Sequence, residues 1–231
     1  MARKPADQSV NRSDIIQAAA EVLQRSGYEA ATMKDIAAAV NLTAASLYHH
    51  FRNKDSLLLA VLEVGLDYII QQVEPIVHND QPVERKLRAM TREHIIGLTE
   101  NTAVGAAMVF EIRALMNVKA PPPGARPAEK AAYTEFIARR DAFFARRDEF
   151  EDLFVQVIRA GVDQGVLRPI DIDIFAKTLL GAHNWVGVWY RPDGRLTGEQ
   201  IADAIADTLL RGVMNQPPAP PPASAHREAQ L

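Results

Sequence analysis

The 231-residue chain is 48% apolar and 24% charged, enough hydrophobic material for one large or two small packed domains. It contains no Cys, which excludes disulfide scaffolds, thiolate metal sites and thiol nucleophiles and fits a reducing compartment. Its 26 basic and 29 acidic residues leave a net charge of −3, so a cationic coat over the whole chain is excluded and any nucleic-acid surface must be local. Residues 1–54 carry +2 and the rest −5, a small polarity toward the N-terminus.

The opening MARKPADQSVNRSD lacks the apolar stretch of a signal peptide, and the richest apolar run, LLLAVLEVGLDYII, is interrupted by Glu63 and Asp67. A cytoplasmic location without a membrane span is therefore expected. Residues 1–11 read as a flexible basic arm carrying Arg3 and Lys4, with Arg12 just beyond it. From there the apolar spacing is helical almost everywhere, with no convincing alternating strand, and the expected fold class is all-α. Ile15, Ile16, Ala19, Val22 and Leu23 form the stripe of a first helix, with Ser13 as its cap and Gly27 as its stop. Thr32 and Asp35 make a capping-box start for a second helix over Ile36, Ala37 and Val40, and Thr43 caps a third. Asn41 between them suits a left-handed turn, which makes the pair a helix-turn-helix.

In the third helix Leu47 and Phe51 lie four apart and face the first helix. Thr43, Ala44, Ala45, Ser46, Tyr48, His49 and His50 are left for the other faces, small at the start and hydrogen-bonding further on. Such a face suits a major groove, where small residues approach base edges while Tyr and His reach phosphates. On spacing alone it suits an ordinary solvated surface helix equally well. A long helix from Lys54 is expected to run to Pro75, followed by helices at about 83–100, 103–117, 127–163, 172–190 and 198–213. APPPGARP interrupts the chain at 120–127, and the Pro-rich residues 216–231 are expected to be disordered.

Residues 12–58, with the Gly27–Tyr28 step, Thr32, DIA, LYHHF and NKDSLL, resemble the N-terminal domain of the TetR family of transcriptional regulators. Asn41 stands where that family usually carries Gly. The resemblance implies a three-helix helix-turn-helix DNA-binding domain over 12–54 and a helical ligand-binding and dimerisation domain over 55–215. It also implies that Thr43, Ala44, Ala45 and His49 meet bases or nearby sugars, that Tyr48, His50, Thr32, Lys34 and Lys54 hold phosphates, and that Ser46 is among the DNA-binding residues. The partners it implies are a double-stranded DNA operator, a second copy of the chain paired through 148–163 and 172–190, and a small hydrophobic effector. NWVGVWYRPDG, near the C-terminus, resembles a subset of the family that responds to acyl-coenzyme A thioesters.

For a long apolar ligand, Met108, Phe110, Ile112, Leu115, Phe143 and Phe144 are candidate walls, with Trp185 and Trp189 further along and Arg139, Arg140, Arg146 and Arg147 at the mouth. A packed core and a salt-bridged helix face account for the same residues. Glu111, Arg113, His183 and Asn184 are polar within apolar helices and either line the pocket or are paired in the core. His94, Glu111 and His183 lack close ligand spacing, so no metal and no cofactor is expected. No phosphate loop, G-x-S-x-G elbow or H-E-x-x-H site is present, and a catalytic role is not expected. A DNA-binding protein with no small effector remains the alternative.

Overall fold

A computed structural model describes residues 10–215 as ten helices: α1 (Arg12–Ala30), α2 (Met33–Ala39), α3 (Ala44–His50), α4 (Lys54–His78), α5 (Val83–Glu100), α6 (Thr102–Phe110), α7 (Ile112–Met116), α8 (Pro127–Asp163), α9 (Ile172–Trp189) and α10 (Gly198–Arg211). Among the described residues there is no strand, only an isolated bridge between Leu167 and Met214. The basic arm with Arg3 and Lys4 and the Pro-rich tail lie outside the described residues.

Local chemistry sets the N-terminal starts. Thr32 accepts from the Asp35 backbone N–H while its own N–H donates to the Asp35 carboxylate, and Thr43 accepts from the Ser46 N–H. Asn41 takes φ 56°, the left-handed turn that Asn tolerates. α1 corrects one expectation. Its cap is Asn11, which forms a reciprocal box with Asp14, while Ser13 merely donates to the Asn11 side chain. Gly27, at φ 72°, interrupts the helical backbone where the stop was expected, and one further turn follows to Ala30.

Pro75 does not end α4, which continues to His78. Pro75 and Gln71, whose carbonyl loses its usual donor, are both exposed, while Val73 and Val77 hold the last turn in the core. Lys86 then donates to the Val77 carbonyl at 2.8 Å. The expected helix at 103–117 divides at Glu111, where α6 ends and α7 begins.

One continuous core joins Ile15, Leu23, Leu47 and Phe51 of the small domain to Leu57, Leu62 and Leu66 of α4 and to Phe150 and Phe154 of α8. α4 is long and apolar enough to cross a membrane, yet over half of that stretch is buried inside the bundle. α10 is clamped to α5 through Arg88–Asp207 and Arg92–Asp203 pairs and through Ile95, Ile201 and Ala202. α4 therefore starts beside the helix-turn-helix and ends deep in the larger domain, a single rod touching both.

Candidate nucleic-acid interface and effector cavity

α3 presents the outer face that its sequence implies. Leu47 is fully buried and Phe51 nearly so, which turns Thr43, Ala45, Tyr48, His49 and His50 to the surface, with Ala44 and Ser46 partly covered. Tyr48 is 53% exposed, unusual for an aromatic side chain with nothing to bury against. Thr32 and Lys34 are exposed on the adjoining helix, and the Arg12 guanidinium stacks 4.6 Å from the Phe51 ring centre. Lys54, which the resemblance assigns to a phosphate, is held against α1. Its ammonium donates to the Tyr28 and Ala31 carbonyls at 2.5 and 2.8 Å and lies over the Tyr28 ring, capping the end of α1. Any attraction it exerts on a phosphate is that of a fixed charge. Tyr28 also donates to the Asp55 carboxylate, and burial with that acid pushes its phenol pKa up.

In the larger domain a cavity of about 340 Å³ opens between α4, α5, α6 and α9. Its walls are Val64, Gly65, Tyr68 and Ile69 of α4, His94, Gly97 and Leu98 of α5, and Val104, Gly105 and Met108 of α6, with Glu100, Asn101 and Asn184 at polar points. Val64 and Tyr68 are about half exposed and form its rim. Gly105 permits the α5–α6 approach, since a Cβ there would stand 2.8 Å from the Leu98 carbonyl oxygen. Among the described residues no Arg or Lys lines the cavity, and Glu100 is the single charged side chain in its lining.

Of the residues that the sequence offers for effector contact, Met108 lines this cavity directly, and so does Asn184, which the sequence leaves between pocket and core. His183 sits one step behind the cavity, fully buried against His94, with the two Nδ1 atoms 3.2 Å apart. Asn184 is the α9 residue that reaches the cavity, and the 100° helical step beyond it turns Trp185 outward, so Trp185 and Trp189 are 62% and 45% exposed. Ile112 and Phe144 pack against the main core, and Arg147 is exposed on α8. Glu111 lies at the α6–α7 break, where its carboxylate meets the kinked Gly27–Tyr28 backbone of α1. Burial pushes its pKa up against the opposing effect of the Tyr28 N–H.

The arginines expected at the mouth belong elsewhere as well. Arg139 pairs with Glu63, Arg146 with Asp67 and Glu149, and Arg140 with Asp141. α4 turns Gly65, Tyr68 and Ile69 to the cavity, but Glu63, Leu66 and Asp67 to a separate groove against α8. Tyr68 and the glycines escaped the sequence reading, and His94 entered it only as a rejected metal ligand. The available signal was Gly65, Gly97 and Gly105 inside otherwise regular helices, a mark of close approach or open space.

Burial holds the His94 imidazole at about 4 and His183 well below its ordinary value, the latter also by repulsion from His94. Unfolded, both titrate near 6.5 and bind more protons than the folded chain between that value and about 4. Stability is thus expected to fall as the pH drops through this window, by about 3 kcal/mol from His94 alone. A His94→Phe, His183→Phe double variant should lose less Tm than the parent between pH 7 and 4.5 in thermal melts. Equal losses would sink this account of the pair.

A helix-turn-helix joined by one continuous helix to a largely apolar cavity that opens at the surface defines a DNA-binding transcription regulator. The comparisons agree: residues 15–61 match the bacterial regulatory proteins of the tetR family, and residues 137–213 match the tetracyclin repressor-like C-terminal domain. The HTH-type transcriptional repressor KstR2 of Rhodococcus jostii is 28% identical over 219 residues, covering 92% of this chain and 98% of the relative. Two crystal structures are similar over nearly their whole length. PfmR, a TetR family transcriptional regulator from Thermus thermophilus, has a TM-score of 0.71 at 28% identity, covering 87% of this chain and 98% of that one. AibR, solved in complex with isovaleryl coenzyme A and operator DNA, has a TM-score of 0.69 at 30% identity, covering 86% and 97%. The chain belongs to the TetR family and is a DNA-binding transcriptional repressor of that type, with a regulatory and not a catalytic role.

Proposed function

We propose that the protein represses transcription in the cytoplasm as a homodimer on an approximately palindromic operator, and that an acyl-coenzyme A thioester entering the α4–α5–α6 cavity releases it. The observation that carries this reading is that α4 both walls the cavity and begins at Lys54, beside the DNA-facing helix. α3 enters the major groove, with Thr43, Ala44, Ala45, Ser46 and His49 toward the bases. Thr32, Lys34, Tyr48, His50 and the fixed charge of Lys54 meet the backbone. Two copies place two α3 helices about one helical turn, ~34 Å, or a multiple apart. A ligand that favours a different setting of α4 alters that spacing, and it shifts the equilibrium only by its differential affinity for the two settings.

The absence of Arg and Lys from the cavity lining among the described residues favours a neutral acyl group over a free fatty acid, because a carboxylate buried without a cation is costly. The thioester removes that charge, and the nucleotide end stays outside. AibR, crystallised with both isovaleryl coenzyme A and operator DNA, makes this chemistry reasonable for a similar fold. The test is fluorescence anisotropy on the DNA upstream of the protein's own coding sequence, with and without isovaleryl coenzyme A and longer acyl thioesters. Release is expected with one thioester and not with the matching free acid, at a coupling of about 5- to 150-fold. Unchanged affinity across the series would discard the thioester and leave the repressor.

A further inference from the structure

We infer that His94 is a hydrogen-bond donor inside the cavity, that His183 sets its tautomer, and that the pair selects effectors carrying an uncharged acceptor oxygen. This rests on the reading of the cavity as the effector site. His94 is only 6% exposed, lines the cavity, and has its Nδ1 committed to the Nδ1 of His183 at 3.2 Å. The polar atom it has left for a ligand is Nε2.

The proton arrangement follows from the pairing. Two facing Nδ1 atoms share one proton, so one ring is the Nδ1–H tautomer and the other the Nε2–H tautomer. If His94 donated at Nδ1, His183 would carry its proton on Nε2, which is buried with no partner. A buried N–H without an acceptor is the rarer and worse defect, so the proton between the rings belongs to His183. His94 then carries its proton on Nε2, toward the cavity. Phe150 and Phe154 pack around both rings, holding them in place and keeping them neutral by burial. With no cation among the described lining residues to offset a buried charge, a single neutral N–H suits a carbonyl better than a carboxylate. In an otherwise apolar cavity, that bond becomes the feature distinguishing one ligand of a given shape from another.

Two measurements test this on the full-length protein. The first needs no ligand. ¹⁵N spectra of ring-labelled histidine, assigned with His94→Gln and His183→Phe, should show His94 as the Nε2–H tautomer and His183 as Nδ1–H. The reverse assignment overturns the proposal. The second compares isovaleryl coenzyme A with its isopentyl thioether, which has the same shape but no carbonyl. The parent should prefer the thioester about tenfold. His94→Gln, which keeps an N–H near Nε2, should retain the preference, and His94→Asn should lose it. In His183→Phe the fixed tautomer should give way to a mixture with a smaller preference. If the two compounds bind the parent equally, or His94→Asn keeps the preference, the proposal fails while the thioester-released repressor stands. If neither compound binds, the thioester reading fails, and the tautomer assignment alone then upholds or overturns the donor.

Discussion

Replacing Trp185 by Glu is expected to give a monomeric chain that has lost tight operator binding. Ile174, Trp185 and Trp189 are 62%, 62% and 45% exposed on one side of α9, at spacings of eleven and four residues that keep them in register. Gly181 lies between them, and a Cβ there would touch nothing, so the stripe is open as well as apolar. A monomer that stranded two Trp and an Ile in water along one helix would be unusual, whereas a second copy covering the stripe buries aromatic anchors of the kind that dominate interface energies. Truncating such an anchor costs about 2–4 kcal/mol, and a buried carboxylate costs more, so the dimerisation constant should weaken by at least ~30-fold. Loss of the dimer separates the two α3 helices, and each half-site is then held alone. Analytical ultracentrifugation and anisotropy on the same samples decide the matter: a monomeric Trp185→Glu with parental operator affinity would falsify the two-helix mode of binding. Trp185→Phe, which keeps the apolar contact, should remain a dimer.

Trp185 also shows where the sequence is legible and where it is not. Starts of helices follow from a few neighbouring residues, so Thr32–Asp35, Thr43 and the left-handed Asn41 could be assigned from the letters, and so could the inward Leu47 and Phe51. The capping box of Asn11 and Asp14 was equally local, but Ser13 competes for the same role. Interruptions depended on distant contacts. Glu is a good helix former, and nothing near Glu111 announces that α6 will end there. The break accompanies a carboxylate turned toward Tyr28, more than eighty positions earlier in the chain. Pro75 shows the converse: a residue that usually ends a helix is tolerated because its ring and the orphaned Gln71 carbonyl face solvent.

The cavity was the least legible part, because an apolar stripe carries no label saying whether it meets another helix, a second copy or a ligand. Helix α9 is apolar on nearly every side, and single steps along it lead from the buried His183 to the cavity-lining Asn184 and then to the outward Trp185. Assigning the tryptophans to the effector and Asn184 to an undecided role was a one-residue error in rotation, which only the packing of α5 and α6 resolves. The arginine-rich ARRDAFFARRDEFED shows the same ambiguity for charge. Its side chains are engaged with Glu63, Asp67, Asp141 and Glu149, as a solvated and salt-bridged face requires.

Filling the cavity should separate operator binding from its release. Gly97→Leu is the substitution to make. Its Cβ would lie at ordinary contact distance, 3.4 Å from the Tyr68 ring and 3.5 Å from Ile69, with the rest of the side chain projecting into the open volume. The change also replaces a mid-helix Gly of α5 by a strong helix former, which favours the folded state by about 0.5–1 kcal/mol. Tm should therefore hold or rise, and operator affinity should match the parent because α3 and the α9 stripe are untouched. The response to effector should disappear: a thioester that weakens the parent's grip by 5- to 150-fold should leave Gly97→Leu within about twofold of its unliganded affinity. A variant with parental stability and DNA affinity that is still released by the same compound would place the ligand outside the α4–α5–α6 cavity. The direct packing of α6 on α1, where Glu111 meets Gly27 and Tyr28, would then become the path to the DNA-binding domain that does not pass through α4.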